Sequence, residues 1–114
     1  MTAVARLDIT IPQGGTYRLV VNVVGGPADL TDYVGAMQIR KYKDAPDALA
    51  TVDPGDIVVD ADNRQVVVTI PSVDTGTYDF DAGVYDVLLM GTANDDWRIV
   101  EGNVRISGSV TREP

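Results

Sequence analysis

Catalysis in a chain with no histidine and no cysteine has to be built from carboxylates, hydroxyls and amines. The usual general base near neutral pH and the strongest common nucleophile are both missing. Carboxylates are plentiful, and Asp79, Asp81, Asp86 and Glu101 gather along the last third of the sequence. Two such acids facing one cleft, about 5 to 10 Å apart, are what a glycosidase needs. The stretch "DFDAG" at 79–83 has turn composition throughout, however, so its acids read as turn caps rather than as a proton donor and its partner. No catalytic residue is expected, and the chain reads as a non-enzyme.

A second set, Asp60, Asp62 and Asn63, offers oxygen ligands of the kind a hard cation takes. The spacing does not continue into a calcium loop, because Arg64 and Gln65 follow and the chain enters a strand. The glycine pairs Gly14-Gly15 and Gly25-Gly26 lie between strands, where glycine serves turns, and neither opens a helix that would hold phosphate. No metal and no cofactor are expected.

Residues that bind without reacting are easier to find. Trp97 is the single tryptophan, and with Tyr33, Tyr42, Tyr78 and Tyr85 it has the makings of an aromatic platform for sugar or peptide. Tyr85 alternates in phase with Val87 and Leu89, which argues for a place in the core instead. Arg40, Lys41 and Lys43 form a basic patch suited to an acidic partner or to the chain's own aspartates.

These side chains need elements to hold them, and the pattern supplies strands. In "ADLTDYVGAMQIRKY" (28–42), Val34, Ala36, Gln38 and Arg40 share one face while Tyr33, Met37, Ile39 and Lys41 share the other. The core-filling members are Tyr33, Met37 and Ile39. Leu7, Ile9 and Ile11 alternate with polar residues before a turn at 12–15. The run "TYRLVVNVV" (16–24) is β-branched and aromatic-rich and reads as a central strand closed by Gly25-Gly26-Pro27. Residues 43–54 read as loop with at most a short edge strand, and residues 57–60 and 64–70 as a hairpin around "ADN". Residues 71–78 admit one helical turn or a plain crossover. Residues 83–90 and 98–107 supply two more strands. No segment shows helical spacing over eleven residues, so about seven strands in two facing antiparallel sheets, or a small barrel, account for the chain.

At 114 residues this is about one domain, 1–114, with short tails at 1–5 and 111–114. Seventeen acids, fifteen of them Asp, against nine bases leave a formal charge of -8. That field repels phosphate backbones and anionic lipid, so neither nucleic acid nor a membrane surface is an expected partner, and another protein is. No apolar run reaches the ~18 residues of a membrane span, and the start lacks the basic-then-apolar order of a secretory leader.

Three stretches together, "DLTDYVGAMQIRK" at 29–41, "GVYDVLL" at 83–89 and "EGNVRISGSVTR" at 101–112, resemble a group of small tailed-phage virion proteins. The N-terminal domain of phage baseplate upper proteins is similar. The resemblance implies an immunoglobulin-like sandwich without enzymatic activity, assembled in the bacterial host cytoplasm into the virion. It would dock in multiple copies on other virion proteins. The sequence stops where baseplate proteins carry a long fibre-like extension, which leaves two places for it: a tail or baseplate adaptor, or a capsid decoration protein. The expected interface residues are Gln38, Arg40, Tyr42, Trp97, Val110, Thr111 and Arg112. The competing class is a free-standing carbohydrate-binding module with Trp97 and tyrosines lining a groove.

Overall fold

The computed structural model of the chain describes residues 5–108. The nine strands found among them are β1 (Ala5–Arg6), β2 (Ile9–Pro12), β3 (Tyr17–Asn22), β4 (Val34–Arg40), β5 (Ala48–Thr51), β6 (Ile57–Asp60), β7 (Gln65–Ile70), β8 (Ala82–Met90) and β9 (Asp96–Ser107). A single helical turn, α1 (Ser72–Thr75), lies between β7 and β8. One sheet runs β1/β2-β9-β8-β4-β5 and the other β3-β7-β6. A three-stranded sheet facing a larger one, with alternating inward side chains, is a β-sandwich.

The alternation in β4 is the reason it has two characters. Gly35, Met37 and Ile39 are buried while Ala36, Gln38 and Arg40 are half-exposed on the outside. On β8, Tyr85, Val87 and Leu89 point the same way as Met37 and Ile39, and on β7 Val66, Val68 and Ile70 meet them from the other sheet. Each such aliphatic side chain withdrawn from water contributes about 1.5 to 3 kcal/mol.

Three expectations need correction. The sheets are not wholly antiparallel: β1 and β2 both run parallel to β9, with Ala5 opposite Val100 and Ile9 opposite Val104. The strand count rises above seven partly because this first strand breaks at Leu7-Asp8. There the Leu7 side chain leaves the apolar row and is 46% exposed, while Ile9 and Ile11 stay buried. The break is sealed by Asp8, whose Oδ1 accepts the Asn103 N–H at 2.9 Å, and by the Tyr85 hydroxyl, which donates to the Leu7 carbonyl at 2.6 Å. Second, β3 is an edge strand; β7, with partners on both sides, is the central one. The apolar run in β3 reflects Leu19 and Val21 facing inward, whereas Val20 is 44% exposed on the outer face. Third, Tyr33 is only half-buried, packing against the core at the mouth of the sandwich where its hydroxyl donates to Asp95.

The remaining segments match their patterns. Gly25 and Gly26, with φ of 78° and 72°, turn the chain from β3 across to β4, a conformation that side-chain-bearing residues rarely adopt. Residues 48–51 form the short edge strand β5, and Asp60 caps the β6–β7 turn by accepting the Asn63 backbone N–H at 3.2 Å. In α1 the fully buried Thr75 hydroxyl donates to Gly15 O at 2.7 Å, tying the β7–β8 crossover to the β2–β3 turn.

Candidate functional site: a charged groove on the larger sheet

The outer face of β4, β8 and β9 carries a groove of about 360 Å³. Its floor comes from strand periodicity, since every second residue of β8 (Val84, Asp86, Leu88) faces away from the core. Gln38 and Arg40 reach it from β4, and Lys43 from the loop that follows. Arg6 reaches it from β1.

Asp86 and Glu101 stand directly opposite each other on β8 and β9. Arg98 is the third member, because a register shift between Val87 and Leu88 lodges Ile99 as an extra residue in β9. Ile99 and Val100 are both buried, so the alternation skips a step and Arg98 emerges on the groove side. Its guanidinium lies 3.9 Å from Asp86 and 3.4 Å from Glu101. Burial raises the Asp86 carboxyl above its usual value, with Glu101 adding to the rise and Arg98, Arg40 and Lys43 opposing it. Arg40 is held in place by two bonds of 2.9 Å, one to the Ala45 carbonyl and one to Gln38 Oε1. Gln38 in turn donates to Thr51 Oγ1 at 3.2 Å, and it also borders a second hollow of about 260 Å³ toward β5.

Of the expected interface residues, Gln38 and Arg40 therefore come together in the groove. Tyr42 is 54% exposed just beyond the end of β4 and does not line it. Trp97 is elsewhere: it sits opposite Leu89 on the core-facing side, half-buried, with its indole N–H donated to Asp95 Oδ1 at 3.1 Å. The β3–β4 turn borders that ring, since a Cβ added at Gly26 would lie 3.7 Å from it. Val110, Thr111 and Arg112 lie outside the described residues. Of the four acids read in the last third, the groove unites Asp86 and Glu101, while Asp79 and Asp81 precede β8 and lie apart from it. Asp60 bonds Asn63 through both carboxylate oxygens, at 3.2 and 2.9 Å, and no cluster of three or more potential metal ligands occurs among the described residues.

Sequence reasoning missed Arg98 and Asn103 as members of the groove that holds Gln38 and Arg40, and read Glu101 only as one of four acids. The cross-strand register that unites them is set by the bulge, and "RIVEGNV" contains no glycine or proline at Ile99 to mark one. No protein-family model matches this sequence, and no curated protein matches it.

Proposed function

We propose that this chain is a non-enzymatic structural protein of a tailed-phage virion, docking in multiple copies on other virion proteins. Its place would be that of a tail or baseplate adaptor or a capsid decoration protein. The observation that carries the docking reading is the groove, a concave surface built on three strands with charges of both signs. Polar contacts held on a rigid sheet lose little freedom when a partner arrives, which favours binding. The virion setting is supported by the resemblance of 29–41, 83–89 and 101–112 to phage virion proteins.

Arg98 argues against hydrolysis. Its guanidinium lies 3.9 Å from Asp86 and 3.4 Å from Glu101, so a cation already engages both carboxylates that a glycosidase would need free. The half-buried seat of Trp97 and the use of its N–H by Asp95 argue against a sugar platform.

The test is cross-linking mass spectrometry on intact, washed phage particles that carry the protein. Lys43, which lines the groove, is expected to link to another virion protein. Absence of the chain from washed particles would overturn the virion assignment. Turnover of an aryl glycoside that disappears in Glu101→Gln would overturn the non-enzymatic one.

A further inference from the structure

Four of the nine bases in the chain, Arg6, Arg40, Lys43 and Arg98, line the groove, against two acids, Asp86 and Glu101. Arg98 pairs with both acids and Arg6 lies 3.9 Å from Asp8, which leaves Arg40 and Lys43 as the groove's cations without an ion pair among the described residues, on a chain whose formal charge is -8. The acid excess also has a location. The β3–β4, β6–β7 and β8–β9 connections meet at one end of the sandwich. Arg64 of the second donates to the Ala28 and Gly25 carbonyls of the first, at 3.0 and 2.7 Å, and Tyr33 of the first donates to Asp95 of the third.

This tip carries Asp29, Asp32, Asp60, Asp62, Asp95 and Asp96, with Arg64 as its single base. Thr31 and Asn63 donate hydrogen bonds to Asp29 and Asp60 and hold both carboxyls below the usual range, so they stay ionised. The tip lies at the Val34–Met90 end of β4 and β8, whereas Arg40 pairs with Val84 at the other end of the same two strands, so the tip does not reach the groove of its own chain. Any groove it fills belongs to another molecule.

We propose that the acidic tip of one copy docks in the cationic groove of the next, so that the chain associates head to tail. This rests on the groove being a docking surface, as above, and names its occupant as a second copy of this chain. Such a contact uses two different patches, so it repeats until a ring closes or a filament grows. Opposed fields of this kind speed encounter and fix register.

Sedimentation velocity on the full chain tests it. Association should rise with concentration at about 0.05 M salt and fall away by about 0.5 M, where the screening length shrinks to a few ångströms. Lys43→Glu, and separately the pair Asp62→Lys with Asp96→Lys, should each raise the Kd about tenfold or more. All three positions are exposed, so both variants should melt with the wild type. Mixed in equal amounts, the two variants should associate again, because one retains its tip and the other its groove. A monomer at every concentration in low salt, association untouched by either variant, or a mixture that stays monomeric would each overturn the proposal. If the chain is monomeric yet still enters particles through a cross-link to another protein, self-docking falls and the docking reading stands. If it neither associates nor enters particles, both fall.

Discussion

Arg98 and Glu101 face the same side of β9 although three positions separate them, and their side chains approach to 3.4 Å. In a regular strand such residues point to opposite faces. The extra residue, Ile99, makes the difference, yet its neighbours keep their partners, Leu88 with Arg98 and Val87 with Val100. Deleting Ile99 should therefore heal the ladder and leave both charges in the groove. The cost should be about 2 to 3 kcal/mol, the burial of one isoleucine, read as a shift in urea midpoint. A deletion variant that does not fold would show that the bulge is needed for its bend.

Tyr85 joins the core to the broken first strand. Its phenol is pushed up to about 12, chiefly by burial, with Tyr17 and Asp8 adding to the rise. A raised value means the folded state holds the proton longer. Stability from this group is then complete below the unfolded value near 10 and is lost as pH rises through about 12. Tyr85→Phe should cost about 1 kcal/mol at pH 7, from the lost bond to Leu7. It should also flatten the alkaline limb of the stability profile. An unchanged limb would locate the alkaline sensitivity elsewhere.

Asp86 carries a raised carboxyl, so its ionised form is less welcome in the folded chain than in the unfolded one. Its contribution is full below the ordinary value near 3.8 and is lost as pH climbs through the raised one. Replacement by a neutral side chain of the same shape should cost little at pH 7. Asp86→Asn is expected to melt at or slightly above the wild type at pH 7, with Arg98 still paired to Glu101. A loss of more than about 1 kcal/mol, the ceiling for an exposed pair, would show that the Arg98 contact outweighs burial.

Gly102 lies under the break in the first strand, and a Cβ there would come within 2.0 Å of the Leu7 carbonyl oxygen. The obstacle is backbone, which cannot rotate aside. Gly102→Ala should destabilise by about 1 to 3 kcal/mol, the usual cost of overpacking, or by more if the strand detaches. Gly108→Ala, which meets nothing within 4 Å, is the matched control and should be close to neutral.

Ile39→Ala empties a fully buried site on β4. The expected loss is about 2 to 5 kcal/mol by thermal or denaturant melting. A melt within a degree or two of the wild type would mean that β4 presents its other face to the core.

Much of this architecture is visible in local pattern. The inward set Met37, Ile39, Tyr85, Val87 and Leu89 follows from period two alone, and the β6–β7 hairpin from its turn residues. What escapes is whatever depends on a partner distant in sequence. A lone strand carries no mark of whether its neighbour runs parallel, so the run from Leu7 to Ile11 looked like any other strand. Apolar residues on both faces suggested a central position for β3, but Val20 faces water on an edge strand. The groove was half legible: Gln38 and Arg40 stand out on the polar face of β4. The partners Arg98 and Glu101 arrive only through a bulge and a register that long-range packing sets.

The parallel seam along β9 also sets an order of events during synthesis. Its pairing joins Asp8 to Asn103, 95 positions apart, so every strand from β3 to β8 must be made before the seam can close. Contacts of such separation come late in folding because a long loop has to be ordered before they repay its entropy. Until β9 leaves the ribosome, Ile9 and Ile11 have no strand to pair with and β8 has an open edge. From the making of β2 to the making of β9 the nascent sandwich therefore carries an unsatisfied sheet margin and two aliphatic side chains in water, the condition in which an unfinished sandwich is most prone to pair with its neighbours.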